Sequence, residues 1–348
     1  MIKALPIKIV DAFTAQGRAC FALGSPFMAA FMAEVLDCLP AGALRDRIAD
    51  WPGEVGPEAA SIPLRLAAGF HALALSGQAS ALYRQSGDWQ AGLAAHIAEI
   101  AATHEDFLLR WLDHAPQTNE VGRSAILIAV AAVVARHFGL PLVLSELGAS
   151  AGLNLSFDRF GLRVGDAVMG AVDSPVVLLP EWRSGLPEPQ GFTVVDRRGC
   201  DLNPLDPAAD GLRLMAYVWP DQPERLARLR AALTQTIAGA VDRAEAADWL
   251  ENRLAELGNE GSAGRCHFVY HTVAHQYFPA ATQERIAKAM ADAGALASPQ
   301  APLVWFGMEA DGAREGAALT LRLWPGDRLF NLGRAGFHGH WIDWRGLT

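Results

Sequence analysis

The sequence predicts an α/β protein, with an N-terminal helical domain over residues 1–120 and a doubly wound, mainly parallel sheet over 121–348 that carries a β insertion at about 161–190. Three observations predict it. Up to residue 120 apolar residues recur at helical spacing and no convincing strand pattern appears. After Pro116 short apolar runs alternate with helical patterns, the arrangement that builds a parallel sheet with helices on both faces. The 348 residues, 51% hydrophobic and 19% charged, suffice for about two domains and exclude a disordered tail protein.

In chain order, Ser25 starts a helix toward Leu39, Pro63 opens another through Leu82, and Gly87 and Asp88 precede a third running to Trp111. In that third helix Leu93, Ile97, Ile100, His104, Phe107 and Trp111 share one face, and His71, His96 and His104 read as core-edge histidines. Gly122 to Phe138 is an almost wholly apolar helix that Gly139 and Pro141 stop, and Leu142 to Leu147 is a short buried strand. Leu162 to Val168 and Val176 to Leu179 form the β excursion, and Phe192 to Cys200 is the next strand. Asp206-Pro207 and Asp221 to Glu224 are helix starts, and Asp248 to Leu257 is a further helix. His267 to Val273 is a strand, Thr282 to Ala293 a helix and Leu303 to Met308 a strand, with Ala318 to Leu332 a closing hairpin.

Lys plus Arg total 29 against 38 Asp plus Glu, a net charge of -9 without any polybasic stripe, which argues against nucleic acid as a partner. Cysteines 20, 38, 200 and 266 form no CxxC pair, as expected in a reducing compartment. The N-terminus lacks a signal-peptide core, and the strongly apolar run Ala125 to Ala135 is shorter than the ~18–20 residues of a spanning helix. A cytoplasmic protein with a small-molecule substrate and no membrane partner is expected.

The segment that carries chemistry is SELGASAGLNL. A buried strand ends at Glu146, and Gly148, Ser150 and Gly152 follow at every second position before Leu153, Asn154 and Leu155. Small residues let backbone approach a ligand, and the first amides of an ensuing helix are free to bind it. A second strand ends in GCDLNP, which places Asp201 and Asn203 at its tip; one carboxylate there can accept from two ribose hydroxyls, or cap an Asx turn before Pro204. Farther along, His271, His275 and Tyr277 lie at the end of a strand on the same side of the sheet, and either imidazole suits general-base work near neutral pH.

These segments resemble the first two motifs of class I S-adenosylmethionine-dependent methyltransferases. The resemblance implies a methyltransferase-like Rossmann domain over about 122–333 that takes S-adenosylmethionine as cofactor. Glu146 matches the acid before the loop, Gly148 and Gly152 its outer glycines, and Asp201 the ribose acid. Asp242 in VDRA resembles the third motif, where an acid meets adenine, as does Asp248 in ADWL; VYHTVAHQYF resembles the fourth strand and its loop. Two features depart from the pattern. Ser150 stands where a middle glycine is usual, and Gly152 and Asp201 are 49 residues apart rather than about twenty. The set ELGASAGLNL, GCDLNPLD, VWPDQPERL and His271 to Pro279 also looks like an uncharacterised family of bacterial proteins with this plan. The expectation is a methyltransferase for a small or partly apolar acceptor, with the helical domain covering the pocket.

The same letters admit other readings. Gly148 to Gly152 is literally G-x-S-x-G, so a serine hydrolase could use Ser150 with Asp201 and a later histidine such as His271 or His338. Against it, such an elbow should follow several strands, whereas everything before Leu142 reads helical, and no HGGG-type segment precedes it. His271, His275, His338, His340 and Asp343 contain enough ligands for zinc, but their spacing is not diagnostic and no metal is expected. A non-catalytic cofactor- or protein-binding module on the same fold is the third alternative.

Overall fold

The structure is a computed structural model that describes residues 3–57, 59–79, 82, 92–258, 263–313 and 315–347. The chain divides into two compact units, Met1–Thr118 with Asp210–Ala227, and Asn119–Ala209 with Arg228–Thr348.

The first unit contains α1 (Ile7–Ala22), α2 (Pro26–Cys38), α3 (Ala43–Ala49), α4 (Ile62–Leu75), α5 (Leu93–Thr103) and α6 (Glu105–Trp111). Ser25 Oγ accepts from Met28 N, and Pro26 occupies the first helical position, where its missing N–H is not needed. Phe13, Phe31, Phe70, Ile97 and Leu112 are fully buried in one core. The single helix expected up to Trp111 breaks at His104, whose φ is -120°, and restarts with Glu105 and Asp106 in the first turn, where carboxylates suit the helix dipole. Its expected start at Gly87 and Asp88 lies outside the described residues. His71 is buried, with Nδ1 3.1 Å from Ala216 O. Asp221 ties its segment to α2: Ser25 Oγ (2.6 Å) and Phe27 N (3.1 Å) donate to its carboxylate.

The second unit opens with α7 (Ser124–Phe138) and β1 (Leu142–Leu147). The stretch Val121–Phe138 is long and apolar enough to cross a membrane, more so than the shorter run singled out in the sequence, yet 72% of it is buried within the fold. After β1 come β2 (Gly161–Val164), β3 (Ala167–Gly170), β4 (Val177–Leu178), β5 (Glu181–Ser184) and β6 (Val194–Asp201). Residues 210–227 of the first unit intervene with α8 (Gly211–Ala216) and the start of α9 (Pro223–Leu233), after which the second unit continues with β7 (Val241–Arg243), α10 (Ala246–Gly258), β8 (Cys266–Thr272) and α11 (Ala280–Ala295). The chain ends with β9 (Leu303–Glu309), β10 (Ala317–Trp324), β11 (Arg328–Ala335) and β12 (Trp341–Trp344).

Nine strands form one mixed, mostly parallel sheet in the order β5-β12-β11-β10-β9-β8-β1-β6-β7. The run β7-β6-β1-β8-β9 is parallel throughout, and strand order reverses between β1 and β8. The expected hairpin does not close the sheet: β12 pairs with β11, and β5, from the predicted insertion, pairs with β12. The rest of the insertion, β3-β2-β4, is a separate three-stranded sheet. On one face Leu147, Val269, Leu250, Ile286 and Met290 share a core with α10 and α11; on the other, Phe157 packs its ring on Phe268 and Tyr270. Burial on both faces explains why β1 and β8 read as continuous apolar runs.

Candidate functional site

The glycine turn leaves β1 with three residues in the left-handed region: Gly148 (φ 71°), Ser150 (φ 54°) and Gly152 (φ 72°). A Cβ at Gly148 would lie 2.6 Å from that of Ala274, and one at Gly152 2.8 Å from Val241 Cγ2, so both positions need glycine twice over. Gly148 N and Ala149 N both donate to Cys200 O at 2.9 Å, which ties the turn to the end of β6. Ser150 accepts a conformation that costs an L-residue roughly 1–2 kcal/mol. Two bonds hold it there, Ser150 N to Asp201 Oδ2 (2.9 Å) and Leu205 N to Ser150 O (3.2 Å).

Asp201 therefore stands beside the turn. Its other oxygen accepts from Asn203 N (2.8 Å), the Asx turn that the sequence also allowed, and Asn203 Oδ1 accepts from Arg243. Each carboxylate oxygen retains further lone-pair capacity. Asn154 is fully buried and joins elements instead of facing outward: Ser124 Oγ donates to its Oδ1 (2.7 Å) and Tyr270 Oη to its carbonyl (3.2 Å). Asp242 accepts from Arg198 through both oxygens and from Trp249 Nε1 (2.8 Å). Burial raises its carboxyl, but those donors outweigh it and hold the group below the usual range.

Glu146 is 2% exposed, and its Oε2 has no hydrogen-bond partner. Burial pushes its carboxyl well above the usual carboxylate range, with Arg123 opposing and Asp201 reinforcing the shift. Ser150 Oγ, Ser156 Oγ and His275 Nε2 are likewise buried without a partner. Such groups are rare in folded proteins, and Glu146, Ser150 and His275 all follow from the ends of β1 and β8.

The loop after β8 is organised by a residue that sequence reasoning missed. Glu309, at the tip of β9, accepts from His271 Nδ1 (2.7 Å), Ala274 N (3.1 Å), His275 N (3.2 Å) and Gln276 N (3.3 Å). Burial raises Glu309, yet these donors hold it below its usual value. Trp305 Nε1 donates to His271 Nε2 at 3.0 Å. Indole nitrogen only donates, so the His271 proton is on Nδ1 and both ring nitrogens are engaged. His275 stacks on His271 with ring centroids 4.6 Å apart, and burial together with His271 pushes it down to about 4. Tyr277 is 74% exposed. An acid at the end of an apolar strand, as Glu146 is in β1, was the available signal for Glu309.

The structure thus brings Glu146, Gly148, Ser150, Gly152, Asp201 and Asn203 together around one turn, with Gly148 against the loop that follows His271 of β8 and carries His275. It does not assemble a Ser150-His271-Asp201 triad: the His271 nitrogens face Glu309 and Trp305, and Ser150 Oγ meets no base among the described residues. Nor do three His, Cys, Asp or Glu side chains converge as metal ligands among the described residues. A cavity of about 180 Å³ adjoins the turn, lined by Ala151, Leu205, Ile237 and Val241 among others. A larger one, about 540 Å³, lies beside the last turns of α7 and Trp344, away from this chemistry.

The fold and this arrangement define a mixed α/β protein with a glycine turn and an acid at the carboxyl ends of adjacent parallel strands, where open α/β sheets bind ligands. Residues 10–344 match the model of a family described as "uncharacterized protein conserved in bacteria" (DUF2332), and the chain belongs to that family. No curated protein and no solved structure matches it.

Proposed function

We propose that this protein binds S-adenosylmethionine at the β1–β6 turn and is a cytoplasmic methyltransferase for a small-molecule acceptor. One observation carries the reading: the left-handed Gly148–Gly152 turn is hydrogen-bonded directly to Asp201 at the tip of the neighbouring strand. The order β7-β6-β1-β8-β9, reversing beside that turn, is the order of doubly wound nucleotide-binding sheets and supports a methyltransferase-like Rossmann domain. The open oxygen of Glu146 and hydroxyl of Ser150 fit a polar ligand lying over the turn.

When bound, S-adenosylmethionine would supply an electrophilic sulfonium methyl, to which an acceptor lone pair would bond in line while the C–S bonding pair stayed on the departing thioether sulfur. On this reading Asp201 accepts from the ribose hydroxyls through the lone pairs that Ser150 and Asn203 leave open. Gly148 and Gly152 give the turn its left-handed path, and Glu146 offers its open oxygen to a donor of the ligand. Asp242, committed to Arg198 and Trp249, shapes the turn before α10 and is left out of cofactor contact. His275, neutral and with Nε2 free of partners, accepts a hydrogen bond from the acceptor, whereas His271 positions the loop through Glu309. Rigid placement is the main demand of such a displacement.

Titration calorimetry with S-adenosylhomocysteine tests the reading. Micromolar binding is expected, weakened by about 10- to 100-fold in Asp201→Ala through the lost charged hydrogen bonds. Equal affinity in the mutant would remove Asp201 from the site, and no binding by folded protein would overturn the cofactor assignment. Binding without methyl uptake by any acceptor would favour the non-catalytic module.

A further inference from the structure

Arg123 lies just before α7, at the ligand end of the sheet. Its Nη1 donates to Thr272 O at the tip of β8 (2.8 Å), and its Nε donates to Phe337 O in the loop after β11 (2.8 Å). Both partners are neutral carbonyls. The carboxylates that act on Arg123 do so from beyond ion-pair distance, and two of them have other donors: Glu120 accepts from Gly122 N (3.0 Å), and Glu309 from His271 and the 274–276 amides. Glu146 retains an open oxygen but makes no hydrogen bond with Arg123. Two of five guanidinium N–H groups are thus used, and among the described residues none meets a carboxylate. A half-buried cation held only by carbonyls is costly, and an anionic ligand group relieves the cost. The planar fork of arginine matches a carboxylate in two parallel hydrogen bonds.

We infer that Arg123 is the carboxylate-binding residue of this site. The inference rests on the ligand reading above but not on methyl transfer. The carboxylate has two possible sources in one site, the amino-acid end of the cofactor or an acidic acceptor. Arg123 contacts the end of β8 and the loop after β11, and exposed Tyr277 and partly exposed Phe337 belong to the same loops, so an acidic acceptor with a flat apolar body fits as well as the cofactor does.

The test compares wild type, Arg123→Gln and Arg123→Lys in two titrations. In the first, S-adenosylhomocysteine is set against methylthioadenosine, which lacks the amino acid. In the second, benzoate is set against benzamide by ligand-observed NMR at saturating S-adenosylhomocysteine. If the cofactor is the source, Arg123→Gln weakens S-adenosylhomocysteine about tenfold or more and leaves methylthioadenosine unchanged, which also reports intact folding. If the acceptor is the source, benzoate binds and benzamide does not, and Arg123→Gln abolishes the difference. Arg123→Lys, which keeps the charge, loses less than Arg123→Gln in either case. Unchanged affinities in Arg123→Gln in both titrations, or no preference of the wild type for the carboxylate-bearing ligand in either of them, overturn the inference. Failure of both nucleosides to bind the wild type defeats the cofactor reading; benzoate, then titrated without it, still decides Arg123.

Discussion

At the residue scale the glycine turn holds two costly side chains. Ser150 occupies a left-handed conformation with a buried hydroxyl that has no partner, and Glu146 is a buried acid with one open oxygen. Folding stability alone does not favour either arrangement. Ser150→Ala removes the orphaned hydroxyl while keeping the backbone, so the ligand-free protein is expected to gain about 1 kcal/mol in chemical unfolding and to bind S-adenosylhomocysteine more weakly. Equal affinity in the mutant would mean that the hydroxyl does not meet the ligand. Glu146 carries a pH signature. Its native carboxyl titrates above the unfolded one, so across that interval the native state keeps a proton that the unfolded chain has lost. Its contribution is complete below the ordinary carboxylate range and is lost as pH rises through the raised value. Glu146→Gln should remove that loss with rising pH in unfolding measured against pH. Glu146 and the glycines were legible in the sequence because backbone chemistry is local. Arg123 was not, because its meaning depends on which carbonyls fold against it.

Among elements, the loop after β8 depends on β9. Glu309 gathers His271 and three consecutive amides, and Val273 enters the loop at a φ of 52°. Glu309→Ala leaves those donors unpaired and is expected to cost roughly 2–5 kcal/mol and to speed hydrogen exchange at 274–276. Glu309→Gln keeps an acceptor where three of the four donors converge and should retain most of the protection. Similar exchange in wild type and Glu309→Ala would show that the loop stands without it. The strands and helices of the parallel half were readable from apolar runs and caps. Three strands were missed for physical reasons: β7 has three residues, β5 is a mostly exposed edge strand, and β12 follows the loop GFHGH, whose tight packing on Gly122 no local pattern signals. Asp242 illustrates a further limit, since an acid at the right register was taken up by Arg198 and Trp249.

For the whole molecule, topology is what makes the site. The parallel run β7-β6-β1-β8-β9 places the tips of β6, β1 and β8 side by side, and the antiparallel strands β10 to β12 extend the sheet away from them. Alternating strands and helices announced the first part; the pairing of β5 with β12 is non-local and had no sequence signal. Acid stability belongs to this scale as well. Burial pushes His267 down to about 3 and His275 to about 4, so between pH 6.5 and those values the unfolded chain takes up protons that the native state refuses. Stability is therefore expected to fall as pH drops through that window, and His275→Gln should flatten part of the decline in unfolding midpoints. The most direct test of the central claim is hydrogen exchange across the whole chain with and without S-adenosylhomocysteine. Ligand-induced slowing at 148–154, 201–205 and 273–277 is the predicted result; no change anywhere, or protection confined to the surroundings of Arg136 and Trp344, would contradict it.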